Sequence, residues 1–130
     1  MKKILFVCSE NSARSQMAEA WFNFLYRGTL WKTASAGTKP AFAVNPSAVE
    51  VMAEVGIDIS RAVSKMASPE ELFSADKVIT MGCIKGCPPS PHEKTEDWGL
   101  DDPSDKTIEE FRKIRDEIKK KVEDLISAIN

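Results

Sequence analysis

The chain has 130 residues, 42% of them hydrophobic and 29% charged, with a formal net charge of −2. That length suits a single domain, residues 1–130, and the composition is not that of a disordered chain. No apolar run approaches the roughly 20 residues of a membrane span, and no basic excess marks a nucleic-acid binder.

Met1-Lys2-Lys3 is followed by only five apolar residues, Ile4 to Cys8, short of the roughly 7–15 expected in a signal peptide. A cytoplasmic location is therefore expected. Thiols are reduced there by default, so three cysteines point to catalysis, redox work or metal binding before structural bridging.

Lys3-Ile4-Leu5-Phe6-Val7 reads as a strand buried on both faces. A polar loop follows, Cys8-Ser9-Glu10-Asn11-Ser12-Ala13-Arg14-Ser15. Met17, Ala20, Trp21, Phe24 and Leu25 are then spaced for one face of a helix ending before Gly28. Trp31 to Ser35 suits a second strand, closed by Gly37 and Pro40. Asn45 as N-cap and Pro46 at the first position open another helix. Its apolar side is Val49, Met52, Ala53 and Val55, and Gly56 ends it. Ile57-Asp58-Ile59 is a short extended segment. Ser68-Pro69-Glu70-Glu71 reads as a helix start, and Lys77 to Met81 as another apolar strand.

Gly82 to Ser104 is rich in Gly, Pro and Asp and reads as irregular; long loops within compact domains are usually functional. Ile108, Phe111, Ile114, Ile118, Val122, Leu125, Ile126 and Ile129 then recur at helical steps, predicting a long amphipathic helix. Strands alternating with helices imply a parallel sheet covered on both sides. Trp21, Trp31 and Phe24 read as core, Trp98 as a rim or anchor residue, and His92 as a solvated loop residue.

The spacing Cys8, five residues, Arg14-Ser15 carries the most chemistry. It lies between a buried strand and a helix N-terminus, where open α/β sheets place ligands. The N–H groups of Ser9, Glu10, Asn11, Ser12, Ala13 and Arg14 can form a nest for a tetrahedral anion. Arg14 adds a planar fork for two of the anion's oxygens, and Ser15 can donate a hydrogen bond to the thiolate. Asn11 tolerates a left-handed conformation in such a loop. The competing reading is a cysteine that is only a small hydrophobe.

Asp102 precedes Pro103 in the polar loop before the last helix. A carboxylic acid there can protonate a departing oxygen, or the dipeptide can simply cap a turn. Cys83 and Cys87 are separated by three residues and flanked by Gly82, Gly86 and Pro88. They could ligate zinc with His92, although that leaves a fourth ligand missing. They could also close as a disulfide, whose Cα separation of about 4.4–6.8 Å a turn can satisfy.

Cys8 to Ser15 resembles the catalytic loop of the low-molecular-weight protein tyrosine phosphatases and of the arsenate reductases that share their fold. Arg14-Ser15-Gln16-Met17-Ala18-Glu19 looks like the arsenate reductase continuation. The resemblance runs on through Ser35-Ala36-Gly37, Asn45-Pro46, Ile57-Asp58-Ile59-Ser60 and Asp102-Pro103. It implies a three-layer α/β/α sandwich around a four-stranded parallel sheet, with Asp102 as general acid. It also implies reduction of arsenate through a relay in which Cys8 attacks the substrate, Cys83 attacks Cys8, and Cys87 attacks Cys83. Thioredoxin or a low-molecular-weight thiol would then restore the enzyme, because the Cys83–Cys87 spacing is shorter than in well-known thioredoxin-coupled members. No cofactor, membrane or nucleic-acid partner follows from the resemblance.

Asn11, Glu19 and Ser35 match positions that hold potassium in some relatives. Lys65 stands where a further carboxylate would be, so no metal is expected. The alternative is a tyrosine or small-molecule phosphatase using Cys8, Arg14 and Asp102, with Cys83 and Cys87 as a redox brake. Ser104 stands where such phosphatases usually carry an aromatic residue. A non-catalytic anion-binding or redox-sensing module would leave Asp102 without a role.

Overall fold

The structure, a computed structural model, describes residues 2–82, 94–103 and 105–129. The first apolar run forms β1 (Lys2–Cys8), followed by α1 (Arg14–Leu25), β2 (Trp31–Gly37), α2 (Pro46–Glu54) and α3 (Pro69–Ser74). After these come β3 (Lys77–Thr80), β4 (Thr95–Asp97) and α4 (Ile108–Ile129). The strands form one parallel sheet in the order β2-β1-β3-β4.

β1 is central and has no polar face, as a strand covered on both sides requires. Side chains alternate along it, so Ile4, Phe6 and Cys8 join the core formed by α1, α2 and α4. Leu5 and Val7 point to the other face, where Ala36, Leu72, Ala75 and Val78 cover them. Each such buried side chain contributes about 1.5–3 kcal/mol. Chain order reverses between β1 and β3, so the carboxyl ends of these two strands open onto a switch point. Cys8 ends β1 there, and Met81 follows β3.

Two helix starts form as their capping residues dictate. Asn45 accepts a hydrogen bond from the Ser47 N–H at 2.9 Å, with proline in the first turn. The Ser68 hydroxyl accepts from the Glu71 N–H at 3.1 Å. In α4 the fully inward residues are Phe111, Ile114, Ile118, Val122 and Leu125.

Three details differ from the sequence reading. β4 lies inside the stretch expected to be irregular; its residues Thr95, Glu96 and Asp97 carry no apolar signal because it is a short edge strand held by pairing with β3. In α2 the buried face is Ala48, Val51 and Met52, and Ala53 is exposed. Of the three aromatics assigned to the core, Trp21 is buried and Trp31 packs against the core partly buried, while Phe24 is 46% exposed. Trp31 is half-buried under the Lys2 ammonium, 5.4 Å from its ring centroid. Phe22 takes the core place that the helical count gave to Phe24.

At the end of α2, Glu54 ties that helix to α4. It accepts from Arg112 Nη2 and Arg115 Nη1, each at 2.8 Å. The Arg112 hydrogen bond, aided by Arg115, holds the Glu54 carboxyl below its ordinary range. A carboxyl lowered in the folded state stabilises fully above its unfolded value, and the contribution disappears as pH falls through the folded value. Glu54→Gln should therefore lower Tm slightly at neutral pH, as exposed pairs do. The difference should shrink in high salt and vanish in acid. A deficit that persists under both conditions would mean lost packing rather than lost charge.

Candidate active site

The loop between β1 and α1 is held from outside by its carbonyls. Ser9 O accepts from the Lys39 N–H at 2.8 Å, Glu10 O from Ala41 at 2.9 Å and Ser12 O from Asn45 at 2.8 Å. Asn11 O accepts from the Ser64 hydroxyl at 2.9 Å and the Gln16 amide at 3.1 Å. In a trans peptide the N–H points opposite the carbonyl. The N–H groups of Glu10, Asn11, Ser12 and Ala13 therefore turn inward. The loop can approach the end of β2 only because Gly37 lies beneath it; a Cβ there would sit 2.6 Å from Ser9 O.

These groups surround a small cleft lined by Cys8, Ser9, Glu10, Ser12, Ala13, Arg14 and Asp102. Ala13 caps α1 without a side-chain hydrogen bond, and the first turn holds no acidic residue. The positive end of the helix is thus directed at the cleft.

Cys8 is buried, and two donors converge on its sulfur. The Asn11 N–H lies 3.2 Å from Sγ, and the Ser15 hydroxyl 2.9 Å. The orientation of the Asn11 side chain fixes the direction of the second contact. Its Oδ1 meets the Lys65 N–H at 2.9 Å, which can only donate, so Nδ2 is the atom facing Ser15 Oγ at 2.7 Å. With Asn11 donating to the hydroxyl oxygen, the Ser15 hydrogen is directed to sulfur, the arrangement a thiolate accepts. Asn11 adopts φ +51° to make these contacts. Its side chain braces the loop from behind and does not line the cleft.

Arg14 is buried, and its Nη1 donates to Met81 O at 2.5 Å and Leu100 O at 3.0 Å. Its Nη2 faces the Asp102 carboxylate at 3.8 Å, on the half-exposed rim. The two carbonyls aim the guanidinium. Gly82 brings them together with φ +90°, and a Cβ on it would meet Leu100 O at 2.7 Å. Neither carbonyl was legible in the sequence, since a backbone acceptor carries no residue signature. The roles of Gln16, Val63 and Ser64 at this loop carry no sequence signal either, although Gln16 lies within Arg14–Glu19.

Cys83, Cys87 and His92 lie outside the described residues. Trp98 is an anchor: it is buried against Phe6, ring centroids 5.8 Å apart, and donates to Glu96 at 2.8 Å. The side chains at the matched potassium positions hydrogen-bond within the fold. Asn11 Oδ1 accepts from Lys65 and Gln16, and Glu19 accepts from the Ser35 hydroxyl at 2.7 Å.

A sulfur nucleophile thus sits at the base of an N–H cradle, with a fixed guanidinium beside it and a carboxyl at the rim. Matching this geometry, the family model for low molecular weight phosphotyrosine protein phosphatase spans residues 3–130. The chain belongs to that family. Within this phosphatase family it resembles arsenate reductase 2 of Staphylococcus epidermidis, 45% identical over 125 residues, 94% of each chain. The solved structure of an arsenate reductase in the phosphate binding state is 40% identical across the whole of both chains, with a TM-score of 0.87. A thioredoxin-dependent arsenate reductase from Corynebacterium glutamicum is 33% identical, with a TM-score of 0.81. That match covers 99% of this chain and 62% of the other. Among the described residues no helix is long and apolar enough to cross a membrane.

Proposed function

We propose that this protein reduces arsenate to arsenite, with Cys8 as nucleophile and Cys83 and Cys87 as the source of electrons. The carrying observation is the convergence of the Asn11 N–H and the Ser15 hydroxyl on the Cys8 sulfur inside an inward-facing N–H cradle. Such a cradle suits a tetrahedral oxyanion, and the similar chains named above are arsenate reductases.

In the first step Cys8 sulfur attacks arsenic and an oxygen leaves as water, protonated by Asp102. Arg14 and the loop N–H groups hold the remaining oxygens. Cys83 then attacks Cys8, forming an S–S bond while the sulfur–arsenic bond breaks. Arsenic keeps that electron pair and departs as arsenite, reduced by two electrons. Cys87 attacks Cys83, releasing Cys8 as a thiolate and leaving a Cys83–Cys87 disulfide. Exchange of this kind needs a thiolate and access to the target sulfur. An external thiol reductant reopens the disulfide, in keeping with a reducing, cytoplasmic setting. The thioredoxin-dependent relative favours a dithiol protein as donor, and the short Cys83–Cys87 spacing favours a small thiol.

Phosphate-ester hydrolysis by Cys8, Arg14 and Asp102 is the second reading, suggested by the family itself. Arsenite release separates the two, measured with thioredoxin and its reductase and, in parallel, with small thiols. Cys83→Ser and Cys87→Ser should each abolish multiple turnover of arsenate. Wild type that makes no arsenite with any donor, yet hydrolyses an aryl phosphate as fast as both variants, would establish the phosphatase instead.

A further inference from the structure

We infer that Gln16 is a positioning residue that holds the oxyanion loop in its working conformation through Asn11. Gln16 lies in the first turn of α1, is 3% exposed and does not line the catalytic cleft. Its amide nitrogen faces three acceptors: Asn11 O at 3.1 Å, Asn11 Oδ1 at 3.0 Å and Val63 O at 3.0 Å. An amide has two hydrogens, so one serves Val63 and the other is shared by the two Asn11 oxygens. All three partners only accept, which fixes the amide with nitrogen toward the loop.

The same two Asn11 oxygens take Ser64 Oγ and Lys65 N–H, each at 2.9 Å. Gln16 thereby closes a clamp between α1, the loop and the 63–65 segment. The clamp holds a strained residue. A non-glycine residue in the left-handed region is disfavoured by its own sterics, asparagine less than most, and keeps that conformation where its surroundings hold it. Asn11 at φ +51° is such a residue. Its conformation aims its N–H at Cys8 and its side-chain amide at Ser15. Released from Gln16, Asn11 has less to hold it there, and both hydrogens on the Cys8 sulfur depend on it. Gln16 therefore affects the nucleophile without touching it.

The competing role is structural, in which the buried amide merely secures the α1 start. Alkylation of Cys8 by iodoacetamide separates the two, in a Cys83→Ser, Cys87→Ser background where Cys8 is the only thiol. The inference rests on the oxyanion-loop reading, but alkylation involves neither arsenate nor a reductant, so each can fail alone. Gln16→Met keeps size and removes the donors. Its neutral-pH alkylation rate should fall about tenfold, the scale of one hydrogen bond to a charged group. In alkaline solution the rate should be at least that of the parent, because a thiolate with fewer hydrogen-bond donors is the stronger nucleophile. Unchanged rates at both pH values would overturn the inference, and so would an equal fall at both, which would mean lost access. Ser64→Ala removes a different bond to Asn11 and decides the matter should Gln16→Met fail to fold. A smaller fall confined to neutral pH supports the clamp, and no fall refutes it.

Discussion

Arg14→Lys is expected to lower kcat/KM for arsenate by about 10²–10³-fold, the effect of removing one preorganised donor from an oxyanion site. The geometry explains why a charge-conserving change should cost so much. Nη1 is bound by Met81 O and Leu100 O, which leaves Nη2 on the side of the cleft and Asp102. A lysine ammonium is a point charge on a flexible stem. It can satisfy the two carbonyls or approach the anion, but it has no rigid fork to do both. Folding should also suffer, because a carbonyl left without a partner in this buried place costs about 1–3 kcal/mol. Steady-state kinetics and thermal melting on the same preparation separate the losses. A loss below tenfold would show that the loop N–H groups hold the substrate without the guanidinium.

The parts of this site written in side chains are legible in the amino-acid sequence. Cys8, Arg14 and Ser15 follow from one spacing after one buried strand. The left-handed Asn11 follows from the few residue types that tolerate that backbone. Helix starts at Asn45-Pro46 and Ser68-Pro69 are legible for the same reason, since their caps are local chemistry. What stays hidden is written in backbone. β4 depends on hydrogen bonds from β3 and has no apolar pattern of its own. The carbonyls that aim Arg14 could come from any residue type. In α2 and α1 the helical period is correct but the buried face lies about one residue away, because packing against α4 and, for α1, against the sheet decides which side turns inward.

Arg14 also explains how loops far apart in sequence act as one site. Its Nη1 joins the residue after β3 to the loop that carries Asp102, while its own position opens α1. Gly82 makes that junction close enough to work, and the Asp97 carboxylate secures it by accepting from Gly82 N–H at 2.8 Å and Thr80 Oγ1 at 2.7 Å. The edge strand that sequence could not reveal is therefore a brace for Arg14. Its three residues matter for where they place Asp97 and the turn leading to Leu100.

Asp102→Asn is expected to reduce arsenate turnover by about 10²–10⁴-fold, the usual worth of a general acid. The amide keeps the size of the side chain and a place beside Arg14, but it has no acidic proton to give. The loss should depend on the leaving group. Arsenate must lose an oxide oxygen, which cannot depart unprotonated. An aryl phosphate with an electron-poor phenol releases a stable phenolate and needs little help. The variant should accordingly retain much more of its wild-type rate toward p-nitrophenyl phosphate than toward arsenate, and more than toward phenyl phosphate. The acid's limb of the pH–rate profile should also disappear for arsenate. Equal losses on all three substrates would instead assign Asp102 to holding Arg14, since a misplaced guanidinium weakens the binding of every oxyanion alike. Rates on the three substrates, measured on one variant, thus distinguish proton donation from electrostatic support.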